Sequence, residues 1–407
     1  MHTALLLALI ACTPSHKPAV PVSERPPALA HLSLGESWPV ETTLDQPDIA
    51  DAWQVWVEMI DGAKERIDLA QFYLQQDTEH EDRIDAVVAA LHRATARGVK
   101  VRFLADAKFG KQYPEELNKL AEDPGVTLRL YDVGALTGGI LHAKYFVVDG
   151  REAWVGSQNF DWRSLEHIEE LGLRFDEPRT VAQLLSVYEY DWAAAAGEPR
   201  PAAGENPPPL PVPVSWRGQT VQLRLAASPS KLEVPGVPLE LPLLLELIDN
   251  AQHDLNVAVL DYAITGYDRV AWTGLDERLR AAAARGVQVH LLVSDWQKSP
   301  YKVGDVQALA RVEHIDVRFL DVPAHSSGHI PFARVLHSKF ATADGEHVWV
   351  STSNWSHDYF DSSRNIALFV DGAPFATRLT ELHSTLWESA YAEVVDPDAT
   401  YTAPRVK

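Results

Sequence analysis

The stretch Leu141–Asn159, LHAKYFVVDGREAWVGSQN, returns as Leu336–Asn354, LHSKFATADGEHVWVSTSN. Each copy carries His-x-Lys, an Asp after four residues, and, six residues later, a tail of Gly/Ser, Ser/Thr, any residue and Asn. The two histidines lie 195 residues apart, and other landmarks (Asp61 with Asp249, Gly98 with Gly286) lie 188 apart. A repeat of that length is a duplication of large folding units, not a short-period solenoid. The extra length falls mostly in the loop Pro323–Arg334.

Apolar periodicity gives the units their content. Helices are expected over Trp53–Ile67, Arg83–Ala96 and Val181–Trp192, and again over Leu243–Ala251, Asp276–Arg285 and Phe375–Tyr391. Strands are expected over Ile67–Leu74, Val99–Ala105, Val126–Val133 and Glu170–Phe175, with counterparts in the second half. Alternating helices and strands imply sheets covered by helices on both faces. The fold class is α/β, as two pseudo-symmetric α/β/α halves packed into one bilobal body. The boundaries read as a signal over 1–12, a Pro-rich tether over 13–40, a first half over 41–195, a Pro/Ala-rich linker over 196–218, a second half over 219–395 and a tail over 396–407.

Asp149-Gly150 and Asp344-Gly345, flanked by apolar residues, are hairpin signals. With a two-residue turn, His142 stands opposite Ser157 and Lys144 opposite Val155. Strand alternation then gathers His142, Lys144, Ser157 and Asn159 on one face, and His337, Lys339, Thr352 and Asn354 likewise, with Tyr145, Val147 and Trp154 packing on the other face. Asp149 and Asp344 set the turns.

A polar cluster of imidazole, ammonium, hydroxyl and amide, present twice, suits phosphoryl chemistry. A neutral imidazole can attack phosphorus, a protonated one can deliver a proton to the leaving oxygen, and ammonium and amide groups can hold the other oxygens. The formal net charge is −21, so an anionic substrate needs a local cationic pocket. Phe160, Trp162 and Trp355, which follow the motif asparagines, are candidates for base stacking or for core packing. Glu169 or Glu170 is a candidate to orient a histidine, with Asn365 at the matching position. The loops Gly134–Gly139 and Pro323–Arg334 directly precede the motif strands and are expected to form the rim that selects substrate.

Cys12 is the chain's single cysteine, so no disulfide within the chain can form and the fold rests on its core. It closes the apolar run Met1–Ala11, which is too short to span a bilayer. Leu9-Ile10-Ala11-Cys12 looks like a bacterial lipoprotein signal, giving a lipidated Cys12 and an exported protein tethered to the cell envelope.

The two motifs resemble the HxKxxxxD signatures of the phospholipase D superfamily. Ser157–Leu165 (SQNFDWRSL), Glu169–Gly172 (EELG) and Thr352–Phe360 (TSNWSHDYF) resemble the branch with animal lysosomal 5′-exonucleases of single-stranded nucleic acid and poxviral envelope lipases. The resemblance runs from about Trp53 to Trp387. It implies one active site between the halves and a covalent phosphohistidine formed without metal or other cofactor. His142 is then the nucleophile and His337 the general acid, an order the pseudo-symmetry leaves interchangeable. Lys144, Lys339, Asn159 and Asn354 bind phosphate, with Ser157 and Thr352 assisting. Ser351 stands where the family usually has Gly, which would narrow the approach of backbone to substrate.

Three functions remain open on the sequence: a phosphodiesterase of single-stranded nucleic acid, a phospholipase D or phosphatidyl transferase, and a catalytically inactive binding module.

Overall fold

The computed structural model describes residues 29–407 apart from residues 78, 81, 202–210, 267 and 268. Cys12 and the signal therefore lie outside the described residues. The first half builds an eight-stranded sheet in the spatial order Ala50–Asp51, Leu32–Ser37, Glu170–Phe175, Glu152–Gly156, Tyr145–Val148, Arg66–Gln71, Lys100–Asp106, Val126–Tyr131. The second half repeats this from Val212–Trp216 to Ala392–Val394 in a nine-stranded sheet. In each, three parallel strands are followed by an antiparallel hairpin and its return strand.

The outer face of the first sheet packs on helices Ala52–Gly62 and Arg83–Ala96. The outer face of the second packs on Glu240–Asn250 and Gly274–Ala284. Between the sheets, helices Pro178–Ala195 and Ala373–Trp387 join a central core drawn from both halves, including Tyr145, Leu173, Tyr188, Leu225, Leu368 and Leu379. The body is thus α/β/α twice over, with the inner faces fused.

Local chemistry sets the element ends. Helix Arg83–Ala96 opens on a capping box: the Asp82 carboxylate accepts from Ile84 N, and Asp85 accepts from Asp82 N. The helix expected to run to Ile67 stops at Gly62. The Asp149 carboxylate takes the amides of Lys64, Glu65 and Arg66 at 2.7–2.8 Å and turns the chain into a strand. Asp344 holds Gln252, His253 and Asp254 in the same way. Both motif aspartates therefore bind backbone at the far end of the hairpin from the histidines.

Three expectations need correction. The tether over 13–40 ends earlier, because Leu32–Ser37 is a sheet strand on Glu170–Phe175. The linker over 196–218 likewise contains the strand Val212–Trp216, on Gln219–Ser228. The third concerns hairpin register. Asp149 and Gly150 both have positive φ (52° and 64°), and Arg151 N–H bonds Val148 O, so the two-residue turn exists. Pairing resumes at Val148 with Glu152, however, leaving Arg151 as an extra, bulged residue. Glu346 does the same in the second half. Register slips by one, Lys144 O accepts from Gly156 N, and Trp154 joins Phe146 and Val148 on the outer core, away from Tyr145 and Val147.

Candidate active site

The halves meet where each motif begins. Leu141 bridges to Arg364 and Leu336 to Glu169, in pseudo-symmetric pairs. His142 N–H donates to Arg364 O at 3.0 Å, and His337 N–H to Glu169 O at 2.9 Å. Each half therefore anchors the backbone of the other half's histidine. Arg364, itself fully buried, is fixed by a bidentate pair with Asp191 at 2.8 and 2.9 Å.

The side chains are crossed in the same sense. His337 Nδ1 lies 2.8 Å from Glu170 Oε2. His142 Nδ1 lies 3.0 Å from Thr352 O and 3.1 Å from Asn365 Oδ1. The Asn365 amide donates to Tyr359 O and Ser363 O, so its oxygen faces the ring as an acceptor. Both Nδ1 atoms thus carry hydrogen, and each Nε2 is left for chemistry.

Electrostatics separate the two rings. Burial, then Lys144 and Lys339, push the His142 imidazole well below its usual range and keep it neutral. Burial also pulls His337 down, to about 4, but Glu170 opposes that pull and stabilises its imidazolium. Glu170, although buried, is held below the ordinary carboxylate range chiefly by His337.

Lys144 and Lys339 are each 1% exposed. Each ammonium donates to the carbonyl of its own histidine, His142 or His337. Burial pushes Lys144 well below its usual range, and Lys339 adds to the shift. Burial brings Lys339 down to about 7, against the pull of Glu170 and Glu169. Two buried ammonium groups that repel one another favour an anion between them.

Asn159 and Asn354 are both buried, and neither Oδ1 has a hydrogen-bond partner among the described residues. Unmet amides in a buried site suit a polar ligand. The two hydroxyls do something else. Ser157 Oγ exchanges hydrogen bonds with the Leu171 backbone and helps hold Glu170 down. Thr352 Oγ1 donates to Asn365 Oδ1 at 2.9 Å and accepts from Ile366 N. They brace the groups that orient the histidines. Ser351 also turns away, donating to the buried Glu240 at 2.6 Å, so it does not crowd the site.

Phe160 and Trp355 are core residues. Phe160 stacks on Trp56 at 4.9 Å, and Trp355 packs beside Trp349. Trp162 lies edge-on to His167. The rings that reach a motif histidine were missed by sequence reasoning: Phe72 and Tyr359 pack against His142 at 5.3 and 5.0 Å. Their signal was available in part, since Phe72-Tyr73 continues the first strand toward its C-terminal end, where parallel sheets place their sites.

The family profile described as "Cardiolipin synthase, PLD-like domain" matches residues 56–192 and 244–387. The 5'-3' exonuclease PLD3 of Xenopus laevis is 32% identical over 346 residues, covering 78% of this chain and 70% of that protein. Phospholipase D Z of Dictyostelium discoideum is 30% identical over 383 residues, covering 89% and 90%. Phosphatidylserine synthase of Haemophilus influenzae Rd KW20 shares the fold, with a TM-score of 0.60 over 84% of this chain and 85% of that one at 12% identity. With both halves matched and a histidine–lysine pair from each buried at their junction, the chain belongs to the PLD-like family and is a phosphodiesterase of the phospholipase D superfamily.

Proposed function

We propose that the enzyme hydrolyses single-stranded nucleic acid from its 5′ end through a phosphohistidine on His142. The observation that carries the chemistry is the unequal pairing of the two imidazoles, His142 on neutral acceptors and His337 on Glu170. A neutral His142 attacks phosphorus through Nε2. The bond from phosphorus to the leaving oxygen breaks, and that oxygen takes a proton from His337 Nε2. His337 then accepts a proton from water, whose oxygen attacks phosphorus, and the P–N bond breaks to restore His142. Lys144, Lys339, Asn159 and Asn354 bind the phosphate oxygens. A phosphodiester anion beside His337 raises its proton affinity, so substrate itself loads the acid.

Nucleic acid is favoured over lipid by the aromatic rings beside His142 and by several relatives named as 5'-3' exonucleases. Phospholipid cleavage or transfer is the second reading, favoured by the similarity to phospholipase D Z. An envelope-tethered location through lipidated Cys12 belongs to the same proposal and rests on the sequence. Palmitate labelling that is lost in Cys12→Ala supports it, and labelling of neither protein refutes it.

The functional test is a substrate panel in chelator, comparing oligonucleotides with free or blocked 5′ ends and phospholipid vesicles. Acid quench during turnover traps phosphate on His142. Full activity in His142→Ala, or label on His337, overturns the assignment.

A further inference from the structure

The two halves repeat one another, but the walls beside their histidines do not. On the His142 side, Phe72 packs on Phe109 with ring centroids 4.0 Å apart, and Tyr359 closes on the imidazole from the second half. At the matching positions on the His337 side stand Leu260, Gln297 and Ser164. Ser164 Oγ is bonded to Glu170, and Gln297 to the Tyr262 backbone. At these three paired positions, then, the rings stand on the His142 side.

That wall bounds a cavity of about 490 Å³ reaching His142, within the size range of small-ligand pockets. Its far side is the seam between the halves. Gly139 lies so close there that an added Cβ would come within 2.2 Å of Ser362 O. Thr137 Oγ1 donates to Ser362 O, and Arg364 N–H to Ile140 O. Lys108, an exposed residue at the mouth, places its ammonium 5.7 Å from the Phe109 ring. Asp358 also lines the cavity, and its carboxylate accepts from Ser356 Oγ at 2.7 Å.

We propose that Phe72, Phe109 and Tyr359 form a subsite for the unpaired terminal base of the strand being cut, with Lys108 meeting the strand's phosphate at the mouth. This rests on the nucleic-acid reading above. Phe72 and Phe109 are half-buried and line the cavity with the buried Tyr359, and a ring face is a surface on which any base can stack, so the subsite selects for an unstacked base rather than for a sequence. A base held there fixes the scissile phosphate relative to His142, which acts on positioning as well as on binding.

Phe109 is the residue to change, because it belongs to the wall without touching His142. Two single-stranded oligonucleotides, identical except that one has an abasic 5′-terminal residue, are compared by kcat/KM. For the unaltered enzyme, loss of the base lowers kcat/KM about tenfold, the scale of one base–aromatic stack. Phe109→Ala lowers the value for the intact oligonucleotide about as much and no longer distinguishes the two substrates. Phe109→Tyr restores the preference, which a purely structural defect would not. Equal cleavage of both oligonucleotides by the unaltered enzyme, or an equal loss on both in Phe109→Ala, overturns the subsite and leaves the nuclease reading standing. Cleavage of phospholipid vesicles and of neither oligonucleotide overturns both.

Discussion

Glu170 of the first half and His337 of the second meet at 2.8 Å, whereas the position of Glu170 in the repeat is filled by Asn365, whose amide oxygen faces His142. One imidazole is paired with charge and its twin with a neutral dipole. Asn365→Asp would place a carboxylate beside His142 and raise its proton affinity. The protonated ring cannot attack phosphorus. The expected result is a kcat/KM at pH 5 lowered at least about tenfold, with recovery toward neutrality, since one pKa unit is a factor of ten. A pH–rate profile superimposable on that of the unaltered enzyme would falsify the assignment of roles.

Leaving-group dependence separates the histidines further. A p-nitrophenolate departs without a proton, so in His337→Asn the first-turnover burst of p-nitrophenolate from a p-nitrophenyl phosphodiester should stay within about tenfold of the unaltered enzyme, while the first turnover on oligonucleotide falls about 10²–10⁴. His142→Asn should lose both. Equal losses on both substrates in His337→Asn would remove it as the acid.

The free enzyme should work best in acid. Lys339 loses its charge as pH rises through about 7, and His337 gives up its proton above about 4. Both changes weaken phosphate binding or proton donation as pH rises, so kcat/KM should fall steeply above pH 7. Glu170 raises both groups, so Glu170→Gln should move the alkaline limb toward acid as well as lower the rate. A limb that stays in place would show that Glu170 acts only sterically.

Glu36 is buried, and desolvation lifts its carboxyl to about 9, with Glu169 adding to the shift. The folded state then binds this proton more tightly than the unfolded one, so the group's contribution declines as pH rises from the unfolded value of 4.5 through about 9. Glu36→Gln keeps an acceptor for Gln46 N and removes the titration. It should raise stability by about 2 kcal/mol at pH 8 and flatten the fall. Urea melts at pH 5 and pH 8 decide it, and an unchanged pH slope counts against it.

Asp191→Ala would strand the buried Arg364 guanidinium. The expected cost is about 3–5 kcal/mol in urea unfolding. Because Arg364 O holds His142 N–H, kcat should fall even where the protein stays folded. Full activity in the folded variant would show that the His142 backbone is held without this pair.

Much of the site was legible because both motifs are local. His142, Lys144 and Asn159 lie within one hairpin and its exit, so spacing along the chain keeps them near one another. The register was misjudged because Arg151 and Glu346 are bulged, and nothing in Asp-Gly distinguishes a plain turn from one followed by a bulge. The pairing of Glu170 with His337 was glimpsed from the repeat, but its direction across the halves depends on the packing of distant strands. Phe72, Phe109 and Tyr359 were missed because Phe72 and Phe109 follow two neighbouring strands of one sheet and Tyr359 arrives from the other half, so the three converge only in the folded chain. The partners of the Ser157 and Thr352 hydroxyls lay beyond local spacing for a similar reason: Leu171 and Asn365 lie on the neighbouring return strands.

The mismatch between Glu170 and Asn365 has a directional consequence. A phosphodiester is nearly reversible in shape, and a duplicated frame could seat it either way round. With a carboxylate on one side and an amide on the other, the roles proposed above allow only one orientation, the one that puts the leaving oxygen beside His337. The frame is two-fold, but on the proposed roles its proton traffic runs one way, so a strand entering tail first would find its exit group facing the wrong imidazole.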